Sequence, residues 1–336
     1  MNSSNSLLDA LTLRGVLLSV SIRYWRGRKK LNPEDLGLTQ EQVNDRLISL
    51  GHKRLLPKEA FQRIALIEGR AHAHVENTTF PFLGGLAHYI PNEKLNDTLG
   101  TLRQYREEFE ECRDRFLRDY ETLRASALDD WGEMAEHLPV DRDRLLATVA
   151  DSFPPREKIE GQFAFDIQTF HIAMPDSIPT TELIGLGTQQ EVLEARRQAV
   201  NEARSEIEGS CREFIADCVA SMREQTAKLC GEMLTSIETG GNVHQKTLNR
   251  LIKFIDRFRE LNFANDAEME AELQRVRAEF LTRSAQNYRS SNAARTKLVN
   301  GLQALRTKAT EMASQDVTDL VDSFGQIGHR RFHLAA

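Results

Sequence analysis

The chain has 336 residues, 28% of them charged, and a formal net charge of −6. That length allows one to three domains and a sizeable core. No apolar run approaches the ~18 residues that span a bilayer, and "MNSSNSLLDALTL" (1–13) lacks the basic and apolar regions of a secretory signal, so a cytoplasmic location is the default expectation. The charge is unevenly placed: residues 1–90 hold 12 Lys/Arg against 8 Asp/Glu, and residues 91–153 hold 9 against 16. A basic head and an acidic helix suggest contact between those regions or between neighbouring copies of the chain.

Residues 7–13 read as a short helix. "RGVLLSVSIRYW" (14–25) then alternates as a strand does, with Val16, Leu18, Val20, Ile22 and Tyr24 on one face and Ser19, Ser21 and Arg23 on the other. Asn32-Pro33 and Gly37 mark turns. Thr39, with Gln42 three residues on, suits the start of a helix that Gly51 stops. Pro57 opens another helix, over 57–77. "TTFPFLGGLAHYIP" (78–91) reads as an apolar loop that tucks Phe80, Phe82, Leu83 and Tyr89 into the core. A long helix is expected over 92–138, with a stripe of Leu102, Tyr105, Phe109, Cys112, Phe116, Tyr120 and Leu123 at steps of three and four. A short helix follows over 141–152.

"GQFAFDIQTFHIAMPDSIP" (161–179) breaks the helical pattern. Phe163, Phe165 and Ile167 fall at every second residue, which makes this the second strand and the expected partner of 16–24. A two-stranded ribbon is marginal alone, so it must lie against helices. The segment 175–188 is a loop and the expected domain boundary. Thr188 opens the longest helix, over 189–238, with a stripe of Ala203, Ile207, Cys211, Phe214, Cys218, Met222, Gln225, Leu229 and Met233. Its steps form an eleven-residue repeat, which favours straight or slightly right-handed packing over a heptad coil. Gly240-Gly241 ends that helix, and Asn242 caps the next, over 243–262. Asp266 caps a last long helix reaching about residue 314. A short helix over 315–324 and a loosely held tail, 326–336, finish the chain. The expected divisions are therefore 1–91, 92–153, 154–188, 189–325 and 326–336.

Four cysteines, Cys112, Cys211, Cys218 and Cys230, have no metal-ligand spacing and read as small buried apolar residues. The run "IRYWRGRKK" (22–30) interleaves five basic residues with two aromatics. Arg23, Trp25, Arg26, Arg28, Lys29 and Lys30 are the candidate partner or nucleic-acid contact residues, the cations for phosphate and Trp25 for stacking. The competing reading is a strand end that emerges from the core onto a solvated basic turn and pairs with the acidic helix. His72 and His74 lie about 200° apart on a helix and cannot share one metal there. The glycine pairs at 84–85 and 185–187 lack the lysine and the strand–loop–helix order of a phosphate loop. No catalytic or metal motif is found, so neither an enzyme nor a cofactor is expected.

"RYWRGRKKLNPEDLGL", "LISLGHKRLLPKEAF" and "FPFLGGLAHYIP", in that order, resemble an uncharacterised bacterial family, domain of unknown function 3150. The resemblance extends more faintly over the acidic helix and "FAFDIQTFHI". It implies an accessory protein whose neighbours tend to include a MoxR-type AAA ATPase and a von Willebrand A-like protein, and it carries no catalytic residue. The expected fold is mainly α: an elongated long-helix bundle or coiled-coil stalk with a small two-stranded β ribbon near one end. The expected function is a non-enzymatic scaffold or adaptor, acting through self-association or a protein partner such as that ATPase. Two alternatives stand beside it: a nucleic-acid-associated protein using 23–30, and a membrane-active, pore-forming-like helical protein using 161–187.

Overall fold

The computed structural model describes residues 4–43, 49–173, 190–240 and 243–329. The loop expected over 175–188, most of the 161–187 segment, the cap at Asn242 and residues 330–336 of the tail lie outside the described residues. The chain is mainly helical with a small antiparallel sheet. It gathers into two compact units. The first holds Met1–Leu18, Thr78–Asn96 and Thr169–Ala336; the second holds Ser19–Asn77 and Asp97–Gln168.

In the first unit, α1 (Ser4–Arg14) leads directly into β1 (Gly15–Arg23), of which Gly15–Leu18 belong to this unit and the rest to the second. Gly15, Val16, Leu17 and Leu18 pair antiparallel with Pro91, Ile90, Tyr89 and His88 of β5 (Ala87–Pro91), which itself pairs with β4 (Phe80–Phe82). The stretch 78–91, expected as a loop, is thus a hairpin. Pro81 sits at the centre of a three-residue edge strand, where its missing N–H costs no ladder bond. Phe80, Phe82 and Tyr89 are buried as expected, whereas Leu83 is 46% exposed at the turn. The sheet order is β4-β5-β1-β6, with β6 at Ala164–Phe170, of which residues 164–168 belong to the second unit. The expected neighbours 16–24 and 163–173 are therefore hydrogen-bonded, but in a four-stranded sheet and not a two-stranded ribbon.

The rest of the first unit is helical: α6 (Gln190–Gly240), α7 (Gln245–Leu261), α8 (Ala267–Phe280), α9 (Ala285–Ser290), α10 (Asn292–Ala313) and α11 (Thr318–His329). The single helix expected from 266 to 314 is three. Ser291 accepts a hydrogen bond from Ala294 N and caps α10, and Ser284 stands at the cap position of α9, so the small polar stretch supplies new starts. The tail also begins later than expected, since 326–329 belong to α11. The apolar stripe of α6 from Cys211 to Met233 is buried in one core with Leu251, Ile255, Leu273, Leu302 and Leu305. Phe214, Phe263, Tyr89 and Phe82 add edge-on and stacked ring contacts.

The second unit is built on α2 (Gln62–Thr78), α3 (Asn92–Ala135, from Asp97 on), α4 (Arg142–Ser152) and α5 (Arg156–Glu160). The helix expected over 57–77 opens with a 3-10 turn, Lys58–Phe61. The helix expected from Thr39 shows only a 3-10 turn, Gln40–Gln42; Thr39 N still donates to Gln42 Oε1 at 2.8 Å, as a capping box requires, and residues 44–48 lie outside the described residues. The core here is aromatic. Trp25 contacts Phe61, Phe116, Tyr120 and Phe153, and Phe163 contacts Tyr24, Phe109 and Phe116. Tyr120 donates to the Pro154 carbonyl at 2.7 Å, fixing the turn that feeds β6.

Candidate functional site

The second unit also carries a second, separate sheet: β2 (Arg28–Lys30) paired antiparallel with β3 (His52–Arg54). Every residue in it is basic or titratable. Arg28 faces Arg54, Lys29 faces Lys53 and Lys30 faces His52. Like charges directly opposite each other destabilise a strand pair by roughly 0.2–1 kcal/mol each, so something else must hold the ribbon together. Backbone bonds close both ends: Leu55 N donates to Gly27 O at 2.7 Å, and Leu31 N donates to Gly51 O at 3.1 Å.

The remaining hold is a buried ion pair. Lys53 Nζ lies 2.7 Å from Asp35 Oδ1, with both side chains under a tenth exposed. Asp35 Oδ2 also accepts from Asn32 N at 2.9 Å. The turn that carries Asp35 ends at Gly37, where φ is 72° and a Cβ would sit 2.5 Å from the Pro139 carbonyl. Only glycine fits that approach, so "NPEDLG" docks firmly and presents Asp35 to Lys53. One cation is thereby neutralised. Arg28, Lys29, Lys30, His52 and Arg54 stay exposed, and among the described residues none of them forms an ion pair.

The basic run of the sequence is divided by the fold. Arg23 pairs with Asp166 at 3.1 Å. Arg26 stacks over the Tyr24 ring at 4.1 Å and pairs with Glu68 at 2.8 Å. Trp25, 8% exposed and ringed by four aromatics, belongs to the core and offers no face to a ligand. Burial, with the Glu68 carboxylate next, raises the Tyr24 hydroxyl above its ordinary value, so Tyr24 stays a neutral donor to Glu68. Arg28, Lys29 and Lys30 are left as the outward-facing part of the run, and β3 adds His52 and Arg54.

Beside Arg54 a groove of about 330 Å³ runs between "LLP" (55–57) and the last turns of α3. Its lining is Arg54, Leu55, Leu56, Pro57, Ala127, Trp131 and Met134, with Asp130 the one carboxylate. Trp131 is half-buried; its indole N–H donates to the Arg54 carbonyl at 3.1 Å, which couples the groove wall to the ribbon. Met134 is 40% exposed. Sequence reasoning missed this groove. The α3 stripe was followed only to Leu123, although Ala127, Trp131 and Met134 continue it at steps of four, four and three.

Among the described residues no group of three or more His, Cys, Asp or Glu is placed to hold a metal ion, and no helix is long and apolar enough to cross a membrane. All four cysteines are free; Cys211, Cys218 and Cys230 are buried. What the arrangement can do is bind: an apolar slot with a half-open aromatic, and a fixed cationic edge at its end.

A family model described as a protein of unknown function, DUF3150, matches residues 13–277. Comparison with curated proteins and with solved structures yields no match.

Proposed function

The chain belongs to the DUF3150 family, and from the geometry of its second unit we propose that it is a non-enzymatic adaptor that holds a protein partner through an acidic amphipathic segment. The observation that carries this reading is the junction at Arg54. There an apolar groove of about 330 Å³ meets a ribbon with five exposed groups, four of them Lys or Arg and one a histidine. Apolar side chains of the partner would fill the slot beside Trp131 and Met134, and its carboxylates would meet Arg28, Lys30 and Arg54. Such anchors dominate binding when they desolvate fully, while the exposed charges steer and select. Self-association through a coiled-coil stalk has less support, because the apolar stripe of α6 from Cys211 to Met233 is already covered within the first unit. The AAA ATPase implied by the family resemblance is the first partner to test.

The test is native capture of the full chain, with partners identified by mass spectrometry, set beside two variants. Met134→Glu places a charge in the slot, and the double variant Arg28→Ala with Lys30→Ala thins the ribbon. A protein partner lost with the first and held more weakly, with a smaller dependence on salt, by the second supports the adaptor. A partner retained by both variants would refute it.

A second reading rests on the same unpaired cations: contact with nucleic-acid phosphate. The burial of Trp25 removes the expected stacking residue, so any binding would be electrostatic and insensitive to sequence. A mobility shift that weakens steeply with salt, and that vanishes in the ribbon double variant while Met134→Glu leaves it intact, selects this reading over the first.

A further inference from the structure

The first unit holds a second cationic feature, of a different kind. Between α6 and α7 lies a cleft of about 340 Å³ with an apolar floor of Leu229 and Phe254. Lys228 rises from α6; Arg250, Lys253 and Arg257 rise from α7 at positions i, i+3 and i+7, which share one helix face. Glu232 is the one carboxylate in the lining. It lies 2.6 Å from Arg250 and so orients that guanidinium while neutralising one charge. The lining thus sets four cations against one carboxylate, in a chain whose net charge is −6. Lys228 and Lys253 are exposed, and among the described residues neither forms an ion pair. Burial lowers the proton affinity of Arg257 below its ordinary value.

The shape decides among anions. At ~1.5 Å per residue, the α7 positions 250–257 span about 10 Å, too short to seat a folded partner segment. A concave volume of this size lies in the range of small-ligand sites, whereas nucleic-acid backbones are tracked along extended surfaces. Planar guanidinium groups beside flexible ammonium groups suit adjacent phosphates, the guanidinium by paired hydrogen bonds and the ammonium as a point charge.

We propose that the α6–α7 cleft binds the oligophosphate group of a small molecule, with Lys228, Lys253 and Arg257 on the phosphates and Arg250 held in place by Glu232. This site is independent of the groove and ribbon of the second unit.

The experiment is isothermal titration of the full chain with inorganic tripolyphosphate, with citrate as a non-phosphate polyanion control. Saturable one-to-one binding of tripolyphosphate, tighter than citrate, is expected. The double variant Lys228→Ala with Lys253→Ala should weaken it by about tenfold or more, since hydrogen bonds to charged groups are the strong ones. The unliganded melting temperature of that variant should match the parent, because both side chains are exposed and unpaired. The ribbon variant Arg28→Ala with Lys30→Ala should leave the binding unchanged. No saturable binding, equal affinity for citrate, or loss of binding in the ribbon variant alone would each overturn the proposal.

Discussion

Each unit buries one basic side chain against one aspartate, and the two pairs do different work. In the first unit, Arg223 lies 2.6 Å from Asp266, with both side chains under a tenth exposed. Arg223 also donates to the Met312 carbonyl at 2.7 Å, and Asp266 accepts from Met269 N as the cap of α8. One pair therefore ties α6, α8 and the end of α10 together, and its polar atoms are used inside the core. In the second unit, the Lys53–Asp35 pair anchors a ribbon whose other cations face solvent unpaired. The contrast separates architecture from function. A charge whose partners all lie in the core is there to hold helices, while a row of like charges kept side by side at a cost in stability is there for something outside the chain.

The largest effect tests the first pair. Arg223→Ala leaves Asp266 buried without its counter-ion and should cost about 3–5 kcal/mol in denaturant unfolding, whereas the double replacement Arg223→Met with Asp266→Leu should recover most of that loss. An equal cost for the single and double variants would break the comparison. Lys53→Met should cost about 3 kcal/mol, at the lower end of the same range, because Asp35 keeps its bond from Asn32 N. It should also loosen the ribbon, which amide exchange at Lys29 and Lys53 would report. Gly15→Ala comes next: its Cβ would lie 2.3 Å from the Ile90 carbonyl, and overpacking of this kind costs about 1–3 kcal/mol. The smallest effect is the ribbon double variant Arg28→Ala with Lys30→Ala. Its stability should stay within about 0.5 kcal/mol of the parent, and any change should be a gain, since the like-charge contact of Arg28 with Arg54 is relieved.

A pH dependence sharpens the same point about the first core. Burial pushes the Cys211 thiol from its ordinary 9.0 to about 11, and burial pushes Cys230 to about 12, with Arg306 drawing it back slightly. Below the ordinary value the thiols are protonated in folded and unfolded chains alike, and their burial contributes fully. As pH rises above 9.0 the unfolded chain loses these protons and the folded chain keeps them, so stability falls progressively toward the folded values. The denaturation midpoint should fall between about pH 8 and about pH 10.5, with a shallower fall in Cys230→Ala.

Much of the fold was legible, and the parts that were not have physical reasons. Alternation in 16–24 and 163–167 gave both long strands and their adjacency, because one face of each is buried and the period of two survives in the residue types. The long helices showed through their stripes, and Asp266 through its capping chemistry. The β4–β5 hairpin was hidden because a three-residue strand centred on Pro81 and a five-residue strand, joined through two glycines, carry too little period to read. The β2–β3 ribbon was hidden for the opposite reason. Its six residues are uniformly basic or titratable, so polarity cannot show which of them turns inward; only the fold reveals that Lys53 does, by bringing Asp35 to it. Half of the candidate site was therefore visible as Arg28, Lys29 and Lys30. His52, Arg54 and the groove came from chain segments that only tertiary structure joins. Trp25 was assigned outward from its neighbours, and the aromatic core claimed it.

The central claim is that the groove beside Trp131 and the ribbon beside Arg54 form one binding surface for an acidic amphipathic partner. Trp131 is the half-exposed one of two tryptophans, so its emission reports on the site directly. The full chain is titrated with an amphipathic helical peptide of glutamate and leucine, and with the same peptide carrying glutamine for glutamate. The account predicts a saturable blue shift with the acidic peptide, lost in Trp131→Phe, weakened by salt and by Arg54→Ala, and absent with the neutral peptide. An unchanged emission with the acidic peptide, or an equal shift with both peptides, would contradict it.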